Sequence, residues 1–142
     1  PLGIAGYIHS SRLLPLEKLS SFNEKAFSFK YILKAFAPSN RIMDNYQGKW
    51  ASAIDGRPIW GADGELPKVE VVDINITIDG NEVPIHKVFF SDIYECTNNF
   101  EVYKNGDTYF VYQRNSDGAG SYEIVWVLDK TGLKQRLVGT II

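Results

Sequence analysis

Val72, Ile74, Ile76 and Ile78 alternate strictly with Asp73, Asn75, Thr77 and Asp79. A period of two puts four apolar side chains on one face of a strand and the polar ones on the other. The apolar residues are β-branched, which suits a pleated backbone and stiffens χ1 in a helix. A second run is stronger still. Tyr122, Ile124, Trp126 and Leu128 alternate with Glu123, Val125, Val127 and Asp129, so both faces are apolar and the strand belongs in the middle of a sheet. A chain carrying these two runs has to build a β-sheet in its C-terminal half.

Turn chemistry sets how that sheet is wound. Asp79-Gly80 is a hairpin signal, with Glu82 to Ile85 as the returning strand and Pro84 marking it as an edge. Asn105-Gly106, between Phe100–Lys104 and Thr108–Gln113, is the strongest hairpin signal in the chain. Asn115 to Gly120 is a loop, Asp129 to Gly132 a turn, and Leu133 to Ile142 the last strand. Short strands joined by hairpins predict an antiparallel meander of five or six strands.

The N-terminal third reads differently. Leu16, Leu19, Phe22, Ala26, Phe29, Leu33 and Phe36 recur at steps of three and four, one face of a helix. Ser21 with Glu24 matches a capping box, and Pro38 ends the pattern. The spacing predicts a helix from about Phe22 to Phe36, with another helical turn at Arg41 to Tyr46. The same stretch carries a second pattern, because Phe27, Phe29, Tyr31 and Leu33 alternate with Ser28, Lys30 and Lys34, as in a strand. The expected fold class is therefore α+β: an N-terminal helix packed on a C-terminal antiparallel β-meander of five or six strands. The chain reads as a single domain over 1–142, with an arm at 1–14, a helical part at 15–46, an ordered aromatic and glycine-rich loop at 47–67 and the antiparallel sheet at 68–142.

Composition narrows function by exclusion. The 142 residues are ample for one domain with its own core. Fifteen Lys and Arg stand against 17 Asp and Glu, and the basic residues are scattered. That removes the electrostatic footprint of a nucleic-acid binder. Cys96 is the only cysteine, so no intrachain disulfide forms, and with His9 and His86 it offers too few ligands for structural zinc. No apolar run approaches the length of a membrane span. The first residue is Pro1 and not Met, which suggests a processed chain and an exported or periplasmic setting.

No chemical signature stands out. His86 and Cys96 form a dyad only if the fold brings them together, and Cys96 has no cationic neighbour in sequence to lower its pKa. Asp55, Asp63 and Glu65 sit near Trp50 and Trp60, types that could cleave or stack on a sugar, but Asp55-Gly56 and Asp63-Gly64 read more simply as turns. The spacing of Asp55 to Glu65, and the oxygen-rich Asn115, Ser116 and Asp117, do not follow a calcium-loop pattern. The glycine-rich 116–121 leads into a strand, not a helix, so it lacks a phosphate cradle. Asn75-Ile76-Thr77 is a sequon buried in a predicted strand. No catalytic residue, metal ligand or cofactor is assigned.

The remaining reading is a non-enzymatic domain that binds another protein, with the profile of an immunity protein or an inhibitor of a cell-wall-degrading enzyme in the bacterial envelope. Aromatic and arginine side chains dominate such interfaces. The expected contact residues are Asp117, Gly118, Gly120 and Ser121, where glycine allows close backbone approach, together with Trp60 and Arg57 from the aromatic loop. The alternative is a small carbohydrate-binding module or hydrolase using the Trp50–Glu65 loop.

Overall fold

The structure, a computed structural model, describes residues 13–22, 25–44, 50–115 and 118–140. The predicted arm at 1–14 lies almost wholly outside them. The architecture is three antiparallel sheets. The largest joins β1 (Ser20–Ser21), β8 (Glu101–Asn105), β9 (Thr108–Asn115), β10 (Tyr122–Asp129) and β11 (Gly132–Thr140) in the order β1-β8-β9-β10-β11. The second joins β2 (Phe27–Ala35), β6 (Val69–Ile78) and β7 (Asn81–Glu82), with β6 in the middle. A small third sheet contains β3 (Met43–Asp44), β4 (Ala53–Ile54) and β5 (Arg57–Pro58).

The expected α+β class is wrong. Among the described residues no helix reaches seven residues, and the stretch expected to be a helix is strand β2. Phe27↔Ile78, Phe29↔Ile76 and Tyr31↔Ile74 pair across it. The helical spacing at 22, 26, 29, 33 and 36 is real, but a helix would turn Phe27 and Tyr31 away from the face shared by Phe29 and Leu33. The strand puts Phe27, Phe29, Tyr31 and Leu33 on one side, against the apolar face of β6. Pairing with a preformed partner outweighs local periodicity. The helical turn expected at Arg41 to Tyr46 is likewise replaced, in its described part, by β3. Glu24 of the expected capping box lies outside the described residues.

The C-terminal half follows its turn signals closely. β8 to β11 form a meander of hairpins. Asp79 and Gly80 both take positive φ, 51° and 80°, in the two-residue turn between Ile78 and Asn81. The Asn105 hairpin is displaced by one residue. Asn105 pairs with Thr108, so Gly106 and Asp107 make the turn, with Gly106 at φ 58° as a type II′ geometry requires.

Val72 departs from the face on which the sequence places it. Ile32 pairs with Asp73 and Leu33 with Val71, so Val72 is the extra residue of a β-bulge. Val71 turns inward and Val72 outward. Ile74, Ile76, Ile124 and Trp126 are deeply buried, as their alternation predicts.

The sheet β2-β6-β7 covers the large sheet in place of the expected helix. Between them, Phe27 stacks on Tyr109 at 4.5 Å, Phe29 and Tyr31 each lie 5.0 Å from Phe100, and Phe29 is 5.9 Å from Trp126. Trp126 Nε1 donates to the Tyr31 hydroxyl at 2.8 Å. Most of the aromatic richness of the sequence is spent in this interlayer core.

Candidate functional site

The residues singled out from sequence do come near one another, but they serve the fold. Asp117 lies outside the described residues. Gly118 and Gly120 pack on the chain just after Trp60. A Cβ on Gly118 would run into the Asp63 carboxylate, and one on Gly120 would sit 2.5 Å from the Ala62 carbonyl oxygen. Asp63 Oδ2 also accepts the Ala119 N–H at 2.9 Å, and Ser121 N–H closes a turn on Gly118 O. The close backbone approach that these glycines permit is thus already made within the chain.

Trp60 is half-buried and 6.1 Å from Tyr122. Its N–H donates to Asp92 O and its C=O accepts from Tyr94 N–H, both at 2.9 Å. Gly61 follows at φ 102°, so close to the Tyr94 backbone that no side chain fits. Arg57 donates from Nη1 to Val88 O at 2.6 Å and to Ser91 Oγ at 3.1 Å, and its Nη2 lies 3.4 Å from Asp92. From the other side Arg136, lying over the Trp126 ring, holds Asp92 through contacts of 3.1 Å. Asp92 is a nearly buried carboxylate between two guanidinium groups. Losing either partner would leave buried charge uncompensated.

Together Arg57, Trp60 and Arg136 pin residues 88–94, and this segment flanks a gap beside β6. β6 pairs with β2 on one side. On the other side it pairs with β7 at Thr77 and Ile78 and bridges Tyr94 at Glu70. In between, the chain leaves β6 at Val83, whose N–H donates to Ile76 O at 3.0 Å. It arches through the 3-10 turn Lys87–Phe89 and returns at Tyr94. Under the arch lie a cleft of about 540 Å³, lined by Asp73–Thr77 and Glu82–Ile85, and a smaller one of about 120 Å³ that includes Val72 and Lys87. Val72, Val88 and Phe89 are exposed.

The register shows which backbone groups face the larger cleft. Tyr31 N–H donates to Asn98 Oδ1 at 2.7 Å, and Tyr31 O accepts from Asn98 Nδ2 at 3.0 Å. The Tyr31–Ile74 pair is therefore a non-hydrogen-bonded one, and the N–H and C=O of Ile74 point away from β2 into the cleft. Asp73 Oδ1 caps the Ile74 N–H at 2.8 Å. The same Asn98 carboxamide occupies the outward groups of Tyr31 at the middle of the β2 edge, and the chain on either side of Asn98 is held by Gln113, whose Nε2 donates to Thr97 O and Asn99 O. On the other side of β6, the stretch 71–75 is left as a gap.

The carboxylates of the aromatic loop are engaged elsewhere. Asp55 accepts Arg41 Nε at 2.6 Å and Ile42 N–H at 3.0 Å, and these partners hold its carboxyl below the usual range against a desolvation that raises it. Arg41 also pairs with Glu70 and reaches Tyr94 Oη. Glu65 pairs with Lys68 at the surface. A shallow cleft of about 170 Å³ runs between Asp63, Glu65 and Glu95, but Glu95 already accepts the Lys68 and Val69 N–H groups. Trp50 is exposed.

His86 and Cys96 have separate tasks. His86 is exposed and caps the 3-10 turn, its Nδ1 accepting Val88 N–H at 3.2 Å. Cys96 is buried, with its Sγ 3.0 Å from Tyr122 Oη. Burial pushes the thiol up to about 12, away from a reactive thiolate. Among the described residues no group of three or more His, Cys, Asp or Glu could hold a metal ion, and no helix is long and apolar enough to cross a membrane. The chain matches no protein-family model, and comparison with curated proteins and with solved structures finds no match.

Arg41, Asp73, Asp92, Asn98 and Arg136 were all invisible as site residues in the sequence. Asp73 caps the N–H of its own neighbour, and the other four act on partners brought close by the fold: Arg136 meets Asp92 across 44 positions and Asn98 meets Tyr31 across 67. No local pattern carries such a pairing.

Proposed function

We propose that this domain is a non-enzymatic protein-recognition module, and that its contact surface is the open edge of β6 with the arch beside it. The observation that carries this reading is the cleft of about 540 Å³ along the stretch 71–75 of β6, which is flanked by β2 on one side only, between the bridge at Glu70–Tyr94 and the contact of Ile76 with Val83. Such an edge is a template for another chain. Val72 on β6 and Val88 and Phe89 on the arch are exposed apolar side chains of the kind that contributes to recognition surfaces. Within this reading Arg57 and Trp60 position the arch, and Gly118 and Gly120 buttress the loop after Trp60. The small β-rich body with near-neutral charge fits an inhibitor or immunity protein of a cell-wall-degrading enzyme, exported to the bacterial envelope. The hydrolase alternative is weakened because Asp55, Asp63, Glu65 and Glu95 are each held by partners of their own chain.

The test is affinity capture from the native source with the wild-type chain and with a Val88→Asp/Phe89→Asp variant shown to be folded by circular dichroism. A protein retained in simple stoichiometry by the wild type and lost with the variant supports the reading. Absence of any such protein, together with cell-wall glycan cleavage abolished by Asp63→Asn, overturns it.

A further inference from the structure

Strand edges in folded proteins are usually blunted, because unpaired N–H and C=O groups recruit other chains. On β2 this fold blunts the outward N–H and C=O of Tyr31 with the Asn98 carboxamide. The β6 edge differs: it is a gap bounded at both ends by the chain's own pairing, at Glu70–Tyr94 and at Ile76–Val83. Five residues, 71 to 75, lie between those ends. At about 3.3 Å per residue that is roughly 16 Å of open edge, room for about four residues of an added strand. Among the described residues neither the Ile74 C=O nor the Ile76 N–H has a partner across the gap. The Ile74 N–H has only the adjacent Asp73 carboxylate.

The charge around the gap selects the occupant. Asp73 and Glu82 both line the cleft, and among the described residues neither makes an ion pair. We infer that the gap receives a short extended segment of a partner protein, which adds to β6 as a strand and sets a lysine or arginine against Asp73 and Glu82. The cation does two things. It offers Asp73 a new partner, which releases the Ile74 N–H for pairing with the incoming backbone. It also neutralises two carboxylates that would repel an acidic segment. Backbone pairing supplies affinity and the charged contact supplies selectivity. This inference rests on the recognition reading above and specifies what is recognised.

The probes are synthetic hexapeptides of alternating valine and threonine with one central lysine, the same peptide with glutamate instead, and two lysine peptides N-methylated on alternate amides, one set for each edge of the strand. Binding to the full chain is read by NMR titration and by amide hydrogen exchange. The lysine peptide is expected to slow exchange at Ile74 and Ile76 at least about tenfold, and to bind at least about tenfold more tightly than the glutamate peptide. One of the two methylated peptides should fail to bind and the other should still bind. Asp73→Lys, with Glu82→Lys as a second variant should the first misfold, should reverse the lysine–glutamate preference. Unchanged exchange at Ile74 and Ile76 at millimolar peptide would overturn the inference. So would binding indifferent to methylation on either edge, or a chain that sediments as a dimer with these amides already protected. Should the peptides fail while a captured protein still depends on Val88 and Phe89, strand addition falls and recognition stands. Should no protein be captured, the recognition reading itself falls.

Discussion

Tyr31→Phe removes one oxygen from the centre of the fold and nothing else. That oxygen accepts the Trp126 indole N–H at 2.8 Å, and Tyr31 and Trp126 are 1% and 0% exposed. The phenyl ring keeps the contacts with Phe29 and Phe100, so no cavity of consequence opens. What changes is that a buried donor loses its only partner. Leaving such a group unsatisfied costs about 1–3 kcal/mol. Removing the hydroxyl also removes its own desolvation, so a net loss of about 1–2 kcal/mol is expected. For a domain of this size that corresponds to a fall in Tm of roughly 3–10 °C. Urea unfolding followed by far-UV circular dichroism should show a lower midpoint with unchanged m, since the surface exposed on unfolding is the same. The decisive control is the cycle with Trp126→Phe. In that background the donor is gone, so Tyr31→Phe should cost less by about 1 kcal/mol or even stabilise. Two substitutions that add within about 0.3 kcal/mol would refute the claim that this hydrogen bond ties the two sheets together.

Three further outcomes follow from the same packing. Gly120→Ala places a Cβ against the Ala62 carbonyl and should destabilise by about 1–3 kcal/mol, whereas Gly139→Ala, with open space around it, should be neutral or slightly stabilising by thermal melting. Cys96 should resist a thiol reagent at pH 8 in the native chain and react promptly in urea. Because burial raises the Cys96 thiol from 9.0 to about 12, its neutral form contributes stability in full below about pH 9, and that contribution is lost as pH rises toward 12. Tyr31 and Tyr122, both raised chiefly by burial, act in the same direction. Unfolding should therefore set in on the alkaline side, and midpoints in urea that hold constant from pH 8 to pH 11 would contradict this.

The strands of the C-terminal half were legible because their information is local, although the structure divides them between two sheets where the sequence suggested one. Ile74, Ile76, Ile124 and Trp126 announce an inward face by alternation, and Asp79-Gly80 and Gly106 mark turns that need positive φ. A residue's own conformational freedom and the period of its neighbours suffice for both. The stretch 27–35 shows where local reading stops. Its residues satisfy a helical step and a strand alternation at once, and only the apolar face of β6 chooses between them. Val72 fails for a related reason, since a bulge is set by pairing across the sheet and the alternation of β6 alone cannot show it.

The candidate site was beyond the sequence for a deeper reason. Asp92, Asn98 and Arg136 are ordinary polar residues until tertiary structure gives each a partner. The gap on β6 belongs to no residue. It arises because the chain leaves the sheet at Val83 and returns at Tyr94, pinned by Arg57, Trp60 and Arg136 from distant strands and loops. The sequence by itself determined that the C-terminal half would be built from antiparallel strands, and that Ile74, Ile76, Ile124 and Trp126 would face inward, because alternation and turn chemistry act over a few residues. Tertiary structure alone decided that β2 is a strand, that two sheets enclose the core, and that one edge stays open, because those outcomes depend on contacts between segments tens of residues apart.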